Sequence, residues 1–312
     1  MEKRLLGKTD LNVSPIAFGG NVFGWTVDEK TSFELLDKFV DSGFDLIDTA
    51  DVYSMWAPGN KGGESETIIG NWLHTRNNRD KVIIATKVGA DMGSGKNNTR
   101  DYIINSVEGS LKRLKTEYID LYQNHYDDEV TPVEETLEAF TTLIKQGKVR
   151  WIGASNITPE RFSESLEASR KNGLARYETL QPLYNLYERE DFEEKFEKIC
   201  VDNQIGVLNY YALASGFLTG KYRSTADFGK SQRGGGMGKY LNEKGERLLR
   251  SLDQVSKKHE VTPAAIALAW LISRPSVTAP IASATKTSQI DAFVTAASLK
   301  LDEKDLELLN VN

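Results

Sequence analysis

Short apolar runs alternate with longer amphipathic stretches along most of this chain. Eight runs have the length and composition of strands, and they occupy residues 15–20, 44–50, 81–87, 118–125, 149–156, 177–182, 205–212 and 277–284. Several are apolar nearly throughout, which is typical of parallel strands covered on both faces. The pattern therefore predicts eight buried strands separated by helices.

The stretches between the runs carry signals for the start of a helix. Helical patterns follow Thr99, Thr131-Pro132 and Thr158-Pro159. Threonine followed by proline predicts an N-cap and a proline at the first helical position, where its missing N–H costs nothing. In the second stretch one helical face is apolar, with Val133, Leu137, Phe140 and Ile144. These helices each have one face to bury.

Eight strands alternating with helices favour an α/β fold of the (β/α)₈ TIM barrel type. The rival is an open, doubly wound sheet, which would carry a G-x-G-x-x-G turn after its first strand; "NVFGW" (21–25) stands there instead. The preceding "KRLLGKTDLNVSP" (3–15) predicts an N-terminal β-hairpin, turning at "GKTD", that closes the bottom of the barrel. With no internal repeat or linker, we expect a single domain over 1–312, with a mobile excursion at 223–245.

Composition limits the possible partners and the compartment. The 312 residues carry a formal net charge of -6, which disfavours nucleic acid because a phosphate backbone requires a basic surface. No apolar stretch approaches the roughly 20 residues that span a bilayer, and the amino terminus does not resemble a signal peptide. We expect a cytoplasmic protein with no membrane partner. Cys200 is the only cysteine in the sequence, and we expect it to be buried in the core. The sequence does not indicate the oligomeric state.

Polar side chains cluster where the predicted strands end. Asp48, Lys87 and His125 follow three successive strands at intervals of 39 (87−48) and 38 (125−87) residues, and Tyr53 comes shortly after Asp48. Alone, Asp48 could cap a helix, Lys87 could be a solvated loop residue and Tyr53 could be a packing aromatic. Active sites of (β/α)₈ barrels lie at the carboxyl ends of the strands, so the coincidence predicts a catalytic site.

An acid, a tyrosine, a lysine and a histidine suit the reduction of a carbonyl. Hydride transfer leaves an alkoxide that needs a proton, and a phenol with its usual pKa of about 10 releases one more easily beside an ammonium. We expect Tyr53 to be the acid, Lys87 to supply the charge, Asp48 to hold Lys87, and His125 to orient the substrate. Trp25 and Trp56 are candidates for the substrate pocket wall, or for simple loop packing.

The sequence resembles the aldo-keto reductase superfamily over nearly its whole length. The motifs that carry the resemblance are "LGKTDLNVSPIAFGG", "DLIDTADVY", "IATK", "SLKRLKTEYIDLYQNH", "IKQGKVRWIGASN", "LQPLYNLYER", "SGFLTGKY" and "PIASATKTSQ". Within the superfamily the chain is similar to bacterial oxidoreductases related to potassium-channel β subunits. The resemblance implies NADP(H) as cofactor and an aldehyde or ketone, including a sugar-type carbonyl, as the small-molecule substrate.

The resemblance also implies a set of cofactor contacts. Ser155, Asn156 and Gln181 would hold the nicotinamide carboxamide, and Tyr210 would stack on the ring. The phosphates would meet Tyr211, Ala212, Leu213, Ala214, Gly216, Lys221 and Arg233. The remaining contacts, at the first strand end and the adenosine end, would be Gly20, Asn21, Asp48, Ser283, Thr285, Lys286 and Gln289. No metal is expected.

The chain departs from the family pattern at three places. Tyr211-Ala212 replaces a frequent Ser-Pro, Ala292-Phe293 replaces a Glu-Asn pair that helps to hold adenine, and the loop at 54–63 is longer than usual. Three other classes of function remain open at this stage. A Schiff-base aldolase would leave the cofactor motifs unexplained, a metallohydrolase would need further histidine ligands, and a non-catalytic NADP-binding sensor or regulatory subunit would be expected to lack a catalytic group.

Overall fold

A computed structural model describes residues 1–311 of the chain. It begins with the predicted hairpin, in which β1 (Arg4–Leu5) pairs antiparallel with β2 (Asn12–Val13). Gly7 makes the turn with a φ of 59°, and a Cβ at that position would lie 2.3 Å from the carbonyl oxygen of Glu178. Glycine is therefore required where the hairpin lies against the barrel strand that contains Glu178.

Within residues 1–311, eight parallel strands form one sheet: β3 (Ala17–Gly19), β4 (Leu46–Asp48), β5 (Ile83–Val88), β6 (Ile119–Asn124), β7 (Val149–Ser155), β8 (Tyr177–Gln181), β9 (Gly206–Val207) and β10 (Ile281–Ala282). Their order in the sheet is β10-β3-β4-β5-β6-β7-β8-β9. The amides of Thr278 and Ile281 donate to the carbonyls of Val207 and Asn209, at 2.9 Å each. These bonds join the two edges, so the sheet curls into the predicted (β/α)₈ barrel.

Helices cover the outside of the sheet. The described part of the chain contains eleven α-helices: α1 (Glu29–Asp41), α2 (Glu64–Arg76), α3 (Arg100–Leu114), α4 (Val133–Lys145), α5 (Pro159–Asn172), α6 (Glu190–Lys195), α7 (Glu197–Asn203), α8 (Glu243–His259), α9 (Pro263–Ser273), α10 (Ile290–Ser298) and α11 (Glu303–Leu309). The excursion at 223–245 contains two 3₁₀-helices, Thr225–Lys230 and Gly234–Tyr240. None of these helices is long and apolar enough to cross a membrane.

One of the two predicted Thr-Pro caps is confirmed. The hydroxyl of Thr158 accepts the backbone N–H of Arg161 at 3.2 Å, and Pro159 begins α5. The prediction for Thr131 is wrong, because its hydroxyl donates to the carboxylate of Asp128 at 2.7 Å and Pro132 takes the cap position instead. The Thr131-Pro132 pair predicted the start of α4 to within one residue, but the hydroxyl of Thr131 bonds to Asp128 and not to the helix.

The hydrophobic core has two parts, one outside the strands and one at the hairpin end of the barrel interior, and polar groups occupy the other end of that interior. Helices pack on the outer face of the strands, and Cys200 lies in that layer, where burial raises the pKa of its thiol to about 12. A smaller cluster fills the hairpin end of the barrel interior and includes Leu46, Ala85 and Leu121. Two residues further along the same strands, and so on the same face, stand Asp48, Lys87 and Gln123.

Candidate active site

The alternation of side chains along β4, β5 and β6 brings a charged pair into the barrel interior. The ammonium of Lys87 donates to Asp48 Oδ2 at 2.7 Å and to the backbone carbonyl of Thr49 at 2.8 Å. Its third bond, also 2.8 Å, goes to the hydroxyl oxygen of Tyr53. The side chains of Lys87 and Asp48 are 0% and 1% exposed. All three ammonium donors are therefore used, and one of them fixes Tyr53.

The second carboxylate oxygen of Asp48 is held by two amides. Gln181 Nε2 donates to Asp48 Oδ1 at 3.0 Å, and Gln123 Nε2 lies 3.4 Å from the same atom. The hydroxyl of Tyr53 reaches Asp48 Oδ2 only at 3.4 Å. Since that bond is long, the Tyr53 proton is free to turn towards another acceptor, while Asp48 stays fixed without it.

The electrostatics of Tyr53 differ from the expectation. Its pKa is raised well above 10, first because burial penalises the phenolate and then because the Asp48 carboxylate lies close by. Burial and Asp48 outweigh the lowering expected from the Lys87 ammonium, so the net shift of the Tyr53 pKa is upward. Tyr53 is consequently a neutral phenol at pH 7, which is the form that can donate a proton.

His125 is neutral as well. Its ring lies 5.8 Å from the ring of Tyr53, and burial, reinforced by the Lys87 ammonium, lowers the pKa of the imidazole well below 6.5. Among the described residues, no hydrogen-bond partner contacts the buried Nδ1 atom. A neutral imidazole offers one donor and one acceptor, so His125 can hydrogen-bond an uncharged oxygen beside Tyr53.

The residues predicted to hold the carboxamide lie together at the ends of β7 and β8. Ser155 Oγ donates to the carbonyl of Gln181 at 2.8 Å, and Asn156 Nδ2 donates to the carbonyl of His125 at 2.8 Å. The hydroxyl of Tyr210 donates to Asn156 Oδ1 at 3.1 Å. The first of these bonds connects Ser155 to Gln181, and the other two connect Asn156 to His125 and to Tyr210.

The segment predicted to meet the phosphates has an unusual backbone. Tyr211, Ala214, Ser215 and Gly216 have φ values of 56°, 46°, 55° and 98°, all in the left-handed region. Such a backbone is costly and is common at binding sites, where successive N–H groups can form a concave anion cradle. A Cβ on Gly216 would lie 3.2 Å from Lys221 Nζ. Ala212 and Leu213 complete this turn. The backbone N–H groups of Ala214 and Gly216 already donate to the carbonyls of Tyr211 and Leu213, at 2.7 and 2.8 Å, so the neighbouring Lys221 ammonium is the group that suits a phosphate here.

The predicted adenosine end lies beside the first strand. Ser283 Oγ donates to Asn21 Oδ1 at 2.7 Å, next to Gly20. The side-chain oxygen of Gln289 accepts the backbone N–H of Thr285 at 2.7 Å and that of Lys286 at 3.2 Å. Lys286 is exposed and Gln289 orders its loop. Phe293 belongs to the Ala292-Phe293 pair, which departs from the family pattern. Its ring is buried, with its centroid 6.4 Å from that of Phe44, so Phe293 is part of the hydrophobic core.

Aromatic residues and one arginine form the mouth above Tyr53. The rings of Trp25 and Trp56 meet edge to face at 5.7 Å, and Trp56 lies 6.0 Å from Tyr53. The Arg233 guanidinium lies over Trp25, 5.3 Å from its ring, and among the described residues its buried Nη2 has no hydrogen-bond partner. The structure thus joins Arg233, predicted at the phosphates, to Trp25, predicted at the substrate.

Known proteins align with this chain over nearly its whole length. The model of the aldo/keto reductase family matches residues 15–310. The chain belongs to the aldo/keto reductase family. It is 35% identical to the uncharacterized oxidoreductase YrpG of Bacillus subtilis over 319 aligned positions, which cover 99% of this chain and 95% of that protein. It is 34% identical to the aldo-keto reductase YhdN of the same organism, covering 99% and 93%.

A potassium channel subunit also aligns along nearly the whole length of this aldo/keto reductase. The chain is 30% identical to a probable voltage-gated potassium channel subunit beta of Arabidopsis thaliana, over 96% of this chain and 92% of that protein. Both kinds of relative confirm the branch of the family indicated by the sequence. The family supports an oxidoreductase activity on carbonyl compounds and generally uses NADH or NADPH.

Sequence reasoning missed two contributors to the site of this aldo/keto reductase. Gln123 was not identified, although it stands two residues after Leu121 and two before His125, on the face of β6 that turns inward. Thr49 contributes a backbone carbonyl, which no side-chain pattern can indicate. Both hold the Asp48–Lys87 pair in place.

Proposed function

We propose that this protein reduces an aldehyde or ketone to an alcohol with NADPH, and that Tyr53 supplies the proton. The observation that carries the proposal is the 2.8 Å bond from the buried Lys87 ammonium to the Tyr53 hydroxyl, with Asp48 2.7 Å behind Lys87. A positive group placed where negative charge develops is the usual source of stabilisation in such a reaction.

When bound, NADPH supplies a hydride to the carbonyl carbon. Tyr53 donates its O–H proton to the carbonyl oxygen, and Lys87 stabilises the negative charge that this leaves on the phenol oxygen. Asp48 keeps Lys87 in position. His125, held neutral by burial, donates a hydrogen bond that orients the substrate oxygen towards Tyr53.

The residues present fit a dinucleotide in three places. Ser155, Asn156 and Gln181 offer hydroxyl and amide groups suited to a carboxamide, and Tyr210 offers an aromatic face suited to stacking on the nicotinamide ring. The Lys221 ammonium, beside the left-handed turn at 211–216, suits a pyrophosphate. The exposed Lys286 beside Thr285 suits a 2′-phosphate, which NADPH carries and NADH lacks. The preference for NADPH rests on this last pair.

A substrate screen tests the proposal. Purified protein is incubated with NADPH and a set of aldehydes, ketones and sugars, and the loss of NADPH absorbance is followed together with the alcohol formed. We expect one alcohol for each NADPH consumed, and slower turnover with NADH at equal concentration. If NADPH binds tightly but no carbonyl compound is reduced, the reductase assignment is wrong.

The second candidate is a cofactor-binding regulatory subunit, which the similarity to a plant potassium channel subunit beta favours. It predicts tight NADPH binding without turnover, so the same screen separates it from a reductase. A Schiff-base aldolase would instead form an imine at Lys87, which borohydride would trap as a substrate adduct. Lys87 already donates to three oxygens, and this favours a fixed ammonium over a nucleophilic amine.

A further inference from the structure

The loop that directly follows Tyr53, residues 54–63, is tied to the loop that follows β3. Ser54 begins it in the left-handed region, with a φ of 72°, and its buried hydroxyl donates to the carbonyl of Phe23 at 2.6 Å. A serine in this region is costly and persists only where its surroundings hold it. The bond to Phe23 supplies that hold, so the two loops are joined next to the proposed proton donor.

Asn60 makes the second connection between these loops. Its side-chain Nδ2 donates to the carbonyl of Gly24 at 2.8 Å and to the carbonyl of Ser54 at 2.9 Å. Both protons of the amide are therefore used. The two carbonyls belong to the residue before Trp25 and the residue after Tyr53. One side chain thus fixes the separation of those two segments.

The segments that Asn60 joins carry two tryptophans of the mouth. The rings of Trp25 and Trp56 meet edge to face at 5.7 Å, with an interplanar angle of 90°, and the ring of Trp56 lies 6.0 Å from that of Tyr53. Trp56 is 48% exposed. An exposed indole beside the proposed proton donor offers an apolar face to a substrate.

Exposed aromatic rings are concentrated at this mouth. Three aromatic side chains are exposed within residues 1–311, namely Trp56, Tyr126 and Tyr211. The ring of Tyr126 lies 4.8 Å from that of His125, and the ring of Tyr211 lies 5.3 Å from that of Tyr210. Each exposed ring therefore contacts a residue of the candidate site. An exposed apolar patch in one place is typical of a binding site, and rings favour a ligand with a flat apolar group.

We propose that Asn60 is a positioning residue that holds Trp25 and Trp56 as a rigid wall beside Tyr53, and that this wall selects carbonyl compounds with a flat aromatic substituent over saturated ones. The inference rests on the proposed reductase function, because it names the substrate class of that site. Rigid placement matters because a ring contact depends on the relative orientation of the two rings. The proposal assigns no substrate contact to Asn60 itself.

The test compares benzaldehyde with cyclohexanecarbaldehyde, which have equal numbers of carbon atoms and differ in the flatness of the ring. Asn60→Asp keeps the size of the side chain but leaves no proton for either carbonyl. The ratio of kcat/KM for benzaldehyde to that for cyclohexanecarbaldehyde should fall about fivefold, within the range of one aromatic contact, and the fall should lie in KM rather than in kcat. Asn60→Gln keeps the amide and should restore part of the ratio.

Asn71→Asp is the matched control. Asn71 lies on α2, and its amide donates to the Glu29 carboxylate of α1 at 2.7 Å, on the outside of the barrel. The same substitution there should leave the ratio at its wild-type value. An equal loss for both aldehydes in Asn60→Asp would indicate a general structural role and overturn the proposal, as would an unchanged ratio or a loss confined to kcat.

A binding measurement does not depend on turnover. Benzamide and cyclohexanecarboxamide resemble the two aldehydes but do not accept a hydride from NADPH. Each is titrated into the protein with NADPH present, and the indole N–H signals of Trp25 and Trp56 are followed by ¹⁵N NMR. The wild type should bind benzamide about fivefold more tightly, and Asn60→Asp should lose this difference. If Asn60→Asp does not fold, Trp56→Leu replaces it and should lose the same difference.

The two assays separate this inference from the proposed function. Equal binding of the two amides by the wild type would overturn the aromatic wall alone, whatever the protein reduces. A preference for benzamide that Asn60→Asp abolishes, in a protein that reduces no carbonyl compound, would support the wall and contradict the reductase function.

Discussion

Removing the charge of Asp48 should destabilise the protein as well as its site. Coulomb's law at 2.7 Å and an effective dielectric constant of about 20 gives an attraction of about 6 kcal/mol between Asp48 and Lys87. Desolvation of two nearly unexposed groups offsets much of it, so the pair itself contributes little. Asp48→Asn nevertheless leaves Lys87 buried and without its counter-charge, which should cost about 3–5 kcal/mol.

A double-mutant cycle isolates this effect. Asp48→Asn, Lys87→Met and the double variant are unfolded in urea at pH 7, and the free energies of unfolding are compared with the wild type. Lys87→Met should cost less than Asp48→Asn, because Gln181 and Gln123 still bind Asp48. The double variant should be more stable than Asp48→Asn alone. Additive losses, or a loss below about 1 kcal/mol for Asp48→Asn, would refute the reasoning.

Three further predictions concern stability and the cofactor. Asp51 has a folded-state pKa of about 7, above its unfolded value of about 3.9, so its contribution to the free energy of unfolding is lost as the pH rises from about 4 to 7. The free energy of unfolding of Asp51→Asn should lack this decline, which is about 4 kcal/mol for the wild type. Gly70→Ala places a Cβ 2.0 Å from the Arg113 carbonyl and should cost at least about 1–3 kcal/mol in urea unfolding. Lys286→Ala should weaken NADPH binding about tenfold to a hundredfold in a fluorescence titration and leave NADH unchanged, whereas exposed Lys300→Ala should alter neither.

The strand positions were predictable because each strand must be apolar and short. The ends of the first six predicted runs lie within two residues of the ends of the observed strands. The last two were predicted too long, at 205–212 and 277–284, where the structure has only Gly206–Val207 and Ile281–Ala282. Pro182 and Pro280 stand beside these strands, and proline removes the N–H that a ladder needs.

The inner end of the site was predictable from chain periodicity. In β4 and β5 an apolar inward residue is followed two positions later by a polar one, so Asp48 and Lys87 had to share the barrel interior. The mouth was not predictable. Arg233 lies in a Gly-rich segment that has no hydrophobic period, and its position over Trp25 depends on how that segment folds across the barrel.

The pKa values of the buried side chains could not be predicted from the sequence for a related reason. The sequence indicated that Tyr53 and Lys87 are neighbours, but the direction of the Tyr53 pKa depends on how much water the barrel excludes. Burial dominates that balance. The same burial turns Asp51, an ordinary acid by sequence, into a group that titrates near neutral pH.

The most direct test of the central claim is the loss of a single hydroxyl from Tyr53. Tyr53→Phe keeps the ring and removes only the proposed proton donor, and Tyr118→Phe, at the opposite end of the barrel before β6, is the matched control. The account predicts that Tyr53→Phe loses at least about 100-fold in single-turnover reduction with NADPH affinity nearly unchanged, while Tyr118→Phe retains wild-type rates. Near-normal reduction by Tyr53→Phe would contradict it.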